Sequence, residues 1–398
     1  MNSKLAPVHV LILSKDPSLL SNQSGFGDTL QRHIYYAERL NAYAPGSDLR
    51  IVTFSRKGDA PKALAHAANL KIYGTSSVHL VFYVLDCLRT LKQVFADGWK
   101  PTVITTQGPY EDGQLGLWLA KRKKARFIPQ LHFDLFSQDW LRESRINPLR
   151  SRIARYVLGC ADGVRVVSGE QKRKLVENMG LAPDSIYIIP VGVSFKPTSK
   201  PKDVCKAGVH PTLPGHKVVL FVGRLYAPKN MHLWIDVAEQ VLRQEPETRF
   251  LVAGSGPLHD ELLTRVRKSR LDQFIIFLGN VPYDNLPEVY GAADLFLLTS
   301  HYEGFGRVIV EANMAGVPVV STNCAGPADI VVDGKTGFLC EPGDKNGLAN
   351  IVLALLRDGA RLEQFGKQAK KQVESTFGRL ALANALIRMW SFNASADI

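Results

Sequence analysis

What most restricts the fold of this chain is a repeated rhythm. Short runs rich in Val, Ile, Leu and Phe alternate with segments long enough for a helix. The first series falls at residues 9–14, 49–54, 70–73, 102–107, 126–132, 163–168 and 186–191, and a second at 217–222, 249–254, 274–278, 294–299 and 318–322. Strands that alternate with helices form parallel sheets covered by helices on both faces. Two series predict two doubly wound, Rossmann-like α/β domains, as expected for 398 residues, more than one core usually serves. Between them, residues 194–216 carry Pro197, Pro201, Pro211 and Pro214 without apolar periodicity, and read as a linker. The expected domains are 1–193 and 217–375. A last segment, 376–398, has Leu380, Leu382, Ala383, Leu386 and Trp390 at helical spacing.

Composition narrows the class. With 45% hydrophobic and 22% charged residues the chain reads as soluble and globular. No run approaches 18 apolar residues, and the apolar stretch at 8–13 is too short for a secretory signal, so the expected location is the cytoplasm. The five cysteines are widely spaced and form no C-x-x-C pair, which points to reduced, structural thiols. The net charge of +12 is unevenly spread: residues 1–199 hold 27 basic and 16 acidic residues, residues 200–398 hold 22 and 21. Residues 121–126 and the arginines at 142, 145, 150, 152 and 155 carry much of the surplus. Any single run reads as a solvated basic face. Together they suggest an anionic acceptor, or attraction to anionic lipid headgroups at the inner face of a membrane. No nucleic-acid partner is expected.

Residues 298–320 carry the chemistry. An apolar strand runs into the turn Glu303-Gly304-Phe305-Gly306 and then into a helically spaced run ending at Gly316 and Pro318. The glycines remove side-chain bulk, and the first turn of the following helix offers unpaired N–H groups and partial positive charge, which suits a phosphate. Glu303 and Glu311 bracket that site. On one helix they would lie about 12 Å apart, beyond the roughly 5–9.5 Å of glycosidase carboxylate pairs. The layout suits a long ligand with a phosphate at the helix start and a hydroxyl-rich group on each glutamate, as in a sugar–diphosphate–ribose. Phe221 to Leu225, followed by Pro228-Lys229-Asn230, places Arg224 and Lys229 just past a buried strand, where ligands of open parallel sheets bind.

The pattern Ser-x-x-Glu-Gly-Phe-Gly-x-x-x-x-Glu-Ala, continued by Gly316-Val317-Pro318-Val319-Val320, Gly334-Lys335-Thr336-Gly337-Phe338-Leu339 and Pro342-Gly343-Asp344, resembles retaining GT-B nucleotide-sugar glycosyltransferases of family 4. That resemblance implies two Rossmann-like domains facing across a cleft, a final helix crossing back to the first domain, a nucleoside-diphosphate sugar as donor and a glycan, lipid-linked or small-molecule acceptor. It implies no metal or other cofactor. Arg224 and Lys229 would stabilise the departing diphosphate, Glu303 would orient the donor sugar and Glu311 would hold the ribose. The strand-end His132 would lie beside the donor sugar, Gly254 would line the nucleotide pocket, and the backbone near Val281 would meet the base. Asp134, beside His132, reads as a helix cap. In the turn after the first strand, Gly25-Phe26-Gly27 stands where relatives commonly carry adjacent glycines, and a backbone approach to phosphate is expected there. Val191-Gly192-Val193-Ser194 departs from the Asn-Gly-Val-Asp of relatives, and Asp329 stands where glutamate is frequent.

Cys324, near the proposed site, reads as a small buried thiol rather than a reactive one. The segment 78–95, with Val81, Val84, Leu85, Leu88 and Phe95 on one stripe, reads as a core helix. The activity expected is transfer of a sugar with retention. The alternatives are a nucleotide-sugar epimerase or sugar phosphorylase on the same scaffold, and a non-catalytic protein that binds nucleotide-sugar or glycan.

Overall fold

A strand buried on both faces needs apolar side chains at successive positions, not alternate ones. In the computed structural model, which describes residues 5–20, 28–56, 63–79, 82–193 and 215–392, the apolar runs become strands of that kind. The described residues form two units, one of residues up to Val191 together with Arg379 onward, the other Gly192–Gly378. Most of the expected linker, 194–214, lies outside the described residues.

The first unit holds β1 (His9–Ser14), α1 (Thr29–Tyr43), β2 (Asp48–Thr53), β3 (Ala63–Ala67), β4 (Leu70–Gly74), α2 (Tyr83–Val94), β5 (Val103–Thr106), α3 (Glu111–Lys123) and β6 (Arg126–Leu131). It continues with α4 (Gln138–Glu143), α5 (Asn147–Gly159), β7 (Val164–Val166), α6 (Gly169–Met179) and β8 (Ile186–Ile188). Its sheet has the order β3-β4-β2-β1-β5-β6-β7-β8. All neighbours are parallel except β3 and β4. The antiparallel edge strand β3 was not among the expected strands. Its sequence, Ala-Leu-Ala-His-Ala, has little β propensity.

Strand β1 shows how the sheet is covered. Val10 and Ile12 pack on one face with Leu30, Tyr36 and Leu40 of α1. Leu11 and Leu13 pack on the other with Tyr83, Cys87 and Leu91 of α2 and Leu115 and Leu119 of α3. The last helix of the chain, α14 (Arg379–Ser391), packs on the α1 face through Leu382, Ala383, Leu386 and Trp390, whereas Leu380 is exposed. On α2 the structure corrects the expected stripe. Tyr83, Cys87, Leu91 and Val94 turn inward, while Leu85 and Leu88 are exposed and Val84 and Phe95 are partly buried. Val81 lies outside the described residues. At helical spacing the inward set is offset from the most apolar-looking positions, because a tyrosine and a cysteine take core places.

The second unit runs β9 (Val218–Val222), α7 (Met231–Leu242), β10 (Arg249–Ala253), α8 (His259–Lys268), β11 (Ile275–Gly279), α9 (Leu286–Gly291), β12 (Leu295–Leu298) and α10 (Arg307–Met314). It ends with β13 (Val319–Thr322), α11 (Ala325–Ile330), β14 (Gly337–Cys340), α12 (Lys345–Arg357) and α13 (Gly359–Thr376). Its six-stranded sheet, β11-β10-β9-β12-β13-β14, is parallel throughout. Strand β14 was also unexpected, a four-residue piece behind a glycine-rich turn. Asn230, Asp344 and Asp358 cap α7, α12 and α13 by accepting from backbone N–H groups.

Trp234 anchors this unit. Fully buried on α7, it meets Phe221 and Phe250 edge-on at 6.3 and 5.4 Å and donates its indole N–H to the Leu297 carbonyl at 3.1 Å. It ties α7 to three strands at once. Trp234→Ala is expected to lower the stability of this unit by about 3–5 kcal/mol, read from its chemical-denaturation midpoint.

Candidate active site

The constellation in the second unit is assembled by backbone before side chains matter. Gly223 follows strand β9, and Gly254, which follows β10, lies so close that a Cβ there would sit 1.9 Å from the Gly223 carbonyl oxygen. Gly256 has the same relation to Leu225, at 2.3 Å, and the Leu225 N–H donates to the Ser255 carbonyl at 2.9 Å. The φ of Gly254, +142°, also disfavours any other residue. These contacts hold residues 224–230 against the end of β10. From the other side, the Thr299 hydroxyl donates to the carbonyls of Lys229 and Asn230, at 3.2 and 3.1 Å, and the His301 N–H donates to Pro228 at 2.9 Å. The loops after β9 and β12 are thereby joined.

Their side chains then meet. The Lys229 ammonium donates to the Glu303 carboxylate, with side-chain exposures of 9% and 17%. Arg224 remains exposed, 5.6 Å over the Tyr226 ring, with no carboxylate partner among the described residues. Glu303 is not helical; α10 begins at Arg307, so the axial spacing considered for two helical glutamates does not apply. The turn between them is pinned. Phe305 is buried edge-on against Phe377 at 5.6 Å, and Gly326 comes close enough that a Cβ would sit 2.3 Å from the Phe305 carbonyl oxygen. The Gly326 N–H donates to the Glu303 carbonyl at 3.1 Å. Gly306 precedes α10 at φ +88° and gives it no side-chain cap.

Glu311 is buried inside a network. Its two oxygens accept from the Tyr290 hydroxyl and the Arg307 Nε, both at 2.9 Å, and Arg307 also donates to the Tyr283 hydroxyl at 2.8 Å. Burial and the Glu311 charge together hold the Tyr290 phenol well above its ordinary pKa. Thr299, Arg307, Tyr283 and Tyr290 were not among the expected site residues. Only Arg307 left a signal, its i,i+4 spacing from Glu311 on one helix. Val281 lies half-buried in the turn after β11. Cys324 is half-buried and its thiol is pushed up to about 11, by burial first and then by the Glu303 charge, as an unreactive thiol would be.

A cavity of about 490 Å3 lies elsewhere in this unit, lined by Lys217, Asp294, Pro318 and Gly366 at the amino ends of β9, β12 and β13. Ligands of such sheets bind beyond the carboxyl ends, so no site is assigned to it.

In the first unit, β6 ends beside His132. Its Nε2 lies 3.1 Å from Gln130 Oε1, which also accepts from buried Arg165 at 2.7 Å; its Nδ1 is buried without a partner. The ring borders a cavity of about 90 Å3 that Arg32, His33, Tyr36 and Gln107 also line. Burial, then the charges of Arg165 and Arg32, push His132 down to about 3, and burial with Arg32 pushes His33 down to about 4. Both rings are neutral at pH 7. Asp134 does not cap a helix. It accepts from the Phe136 N–H at 2.9 Å and from Lys174 at 2.6 Å, while Ser137 caps α4. Gly25 and Gly27 lie outside the described residues. Among the described residues no three His, Cys, Asp or Glu side chains gather to hold a metal ion.

Comparison with known proteins follows this geometry. Residues 34–196 match the family model described as Glycosyltransferase Family 4, and residues 208–372 the one described as Glycosyl transferases group 1. Over 176 residues the chain is 34% identical to a glycogen synthase of Mycobacterium tuberculosis, covering 44% of this chain and 42% of that protein. The match thus spans less than half of that relative's length. Among solved structures, the fold is similar to sucrose-phosphate synthase from Thermosynechococcus elongatus, with TM-score 0.79 and 22% identity over 98% of this chain and 100% of that one. It is also similar to Anabaena HepE in complex with UDP-glucose, with TM-score 0.72 and 20% identity over 96% and 99%. The two parallel-sheet units have the GT-B fold of these neighbours, and the two domains match the two glycosyltransferase family models in turn.

A pH dependence follows from the two histidines. Each is held neutral in the fold but takes a proton near pH 6.5 when unfolded, so acid favours the unfolded chain. Their contribution is complete above about pH 6.5 and is lost as pH falls toward 4 and then 3. The melting temperature is expected to drop between pH 6.5 and 4, and less steeply in the double variant His33→Gln, His132→Gln. Equal slopes would remove the histidines as the cause.

Proposed function

We propose that this protein transfers a sugar from a nucleoside diphosphate to an acceptor hydroxyl, with retention of the anomeric configuration. The observation that carries the reading is the Lys229–Glu303 pair, set between the end of β9 and the amino end of α10, which has no side-chain cap, with Arg224 exposed on the same loop as Lys229. The same fold holds UDP-glucose in Anabaena HepE.

When the bond from the sugar C1 to the diphosphate breaks, negative charge grows on the leaving phosphate. Lys229 and Arg224 are cations, and the α10 amino end adds N–H donors, so all three stabilise that charge. Glu303 takes the donor sugar's hydroxyls as acceptor while it keeps Lys229 in place. Tied to an ammonium, its carboxylate is a weak nucleophile. Retention then arises from attack on the same face that the diphosphate leaves: the acceptor oxygen bonds to C1, and the departing phosphate oxygen takes the acceptor proton. Glu311 holds the ribose through an oxygen of its Tyr290 and Arg307 network, and His132, neutral, serves as a hydrogen-bonding partner for the sugar. The acceptor is a hydroxyl of a glycan, a lipid-linked sugar or a small molecule.

Lys229→Ala, Arg224→Ala and Glu303→Gln are each expected to lower kcat by about 10²-fold or more; Arg224→Ala leaves the melting temperature near that of wild type, whereas Lys229→Ala and Glu303→Gln lower it, because each leaves one charge of the buried pair without its partner. UDP, GDP and ADP and their sugars are screened for a rise in melting temperature, since a ligand of the folded state stabilises it. Normal turnover in the Lys229 variant would overturn the leaving-group role. A product of inverted configuration, read by the anomeric proton coupling, would overturn retention.

A further inference from the structure

The outer surface of the first unit carries an unusual combination. Helices α2, α3 and α5 form one layer, α3 packing against α2 on one side and α5 on the other, with their inward residues in a shared core. The outward faces are not simply polar. Phe82, beside the start of α2, and Leu85 and Leu88 on it are 50%, 56% and 37% exposed, Trp118 of α3 is 49% exposed, and Leu149 and Tyr156 of α5 are 59% and 61% exposed. Single exposed apolar residues are ordinary, but these belong to adjoining helices.

Charge on the same layer has one sign. Exposed Lys92 on α2, Lys121 and Arg122 on α3, and Arg152 and Arg155 on α5 have no carboxylate partner among the described residues. The acidic residues of these three helices are buried or paired: Asp86 is buried and paired with Arg89, Asp112 is buried, and Glu111 accepts from Lys15 and Arg150. Arg122 lies 5.6 Å over the Trp118 ring, and Lys123 lies 3.9 Å over Phe95, so cations and aromatic rings are interleaved. A protein partner of ordinary composition would need acidic groups set opposite each cation. A sheet of anionic headgroups over an apolar interior meets both features at once, since the cations pair with phosphates while Phe, Leu and Trp enter the boundary below them.

We propose that the α2–α3–α5 face is a docking surface for an anionic lipid membrane. No described helix is long and apolar enough to cross a bilayer, so the attachment is peripheral and reversible. The inference is independent of the transfer reaction, because vesicle binding is read without donor or acceptor.

The test is co-sedimentation of the full chain with vesicles of phosphatidylglycerol and phosphatidylcholine, against vesicles of phosphatidylcholine alone, at low and high salt. Binding is expected to need the anionic lipid and to fall as salt rises. Each basic residue near an anionic surface contributes roughly fivefold in affinity, so Lys121→Glu with Arg122→Glu is expected to weaken binding by more than about tenfold. Phe82→Ser with Leu85→Ser is expected to weaken it as well, at a salt concentration where the charged variant already fails. Far-ultraviolet dichroism checks that both variants fold, and if one does not, the other carries the test. Absence of binding to anionic vesicles, binding unchanged in the folded variants, or sedimentation showing a dimer that the same substitutions break, would each overturn the proposal.

Discussion

The site in the second unit rests on one buried ion pair. Lys229 and Glu303 come from loops after different strands, and neither charge could be withdrawn from water on its own without a penalty of several kcal/mol. The pair is tolerated because the scaffold holds both loops before the charges meet: Thr299 grips the carbonyls behind Lys229, and Gly326 grips the carbonyl of Glu303. A cation fixed in this way at the end of a parallel sheet can answer charge that appears on a leaving phosphate with little rearrangement of its own.

Glycine makes that scaffold possible. At Gly254, Gly256 and Gly326 the neighbouring backbone occupies the place of a side chain, so the loops after β9 and β10 touch main chain to main chain, as do the loop after β12 and the start of α11. Lys229 and Glu303 are thus carried on segments packed closely through their main chains. Glu311 is fixed differently, by two donors from its own unit, and this buried network keeps its carboxylate oriented.

The first unit follows another logic. Its strand-end polar groups, His132, Gln130 and Arg165, form a hydrogen-bonded row around a small cavity, and burial, with the positive charge of Arg165 and Arg32, keeps the histidine neutral. On the opposite face of the sheet, cations and exposed apolar side chains share one helical layer. The surplus of basic residues in the first half of the chain is therefore not only a solvated surface: part of it accompanies aromatic and aliphatic side chains that the core leaves outside.

The sequence by itself determined most of the two sheets, because strands covered by helices are rich in apolar residues, and twelve of the fourteen described strands fall in the apolar runs. It also determined the glycine-flanked turn Glu303-Gly304-Phe305-Gly306 and the place of Arg224 and Lys229 just past a strand, which the turn and the cations share. Strands β3 and β14 were not legible, one made of alanines, the other four residues long. Only the tertiary structure decided which groups are partners. That Lys229 meets Glu303, that Tyr290 and Arg307 hold Glu311, and that Asp134 meets Lys174 instead of capping a helix depend on residues 74, 21 and 40 positions apart being brought together by the sheets. The same holds for α2, where a periodic stripe shows that one face is apolar but not which residues turn inward. That choice is made by the shape of the sheet surface, which took Tyr83 and Cys87 and left Leu85 and Leu88 outside.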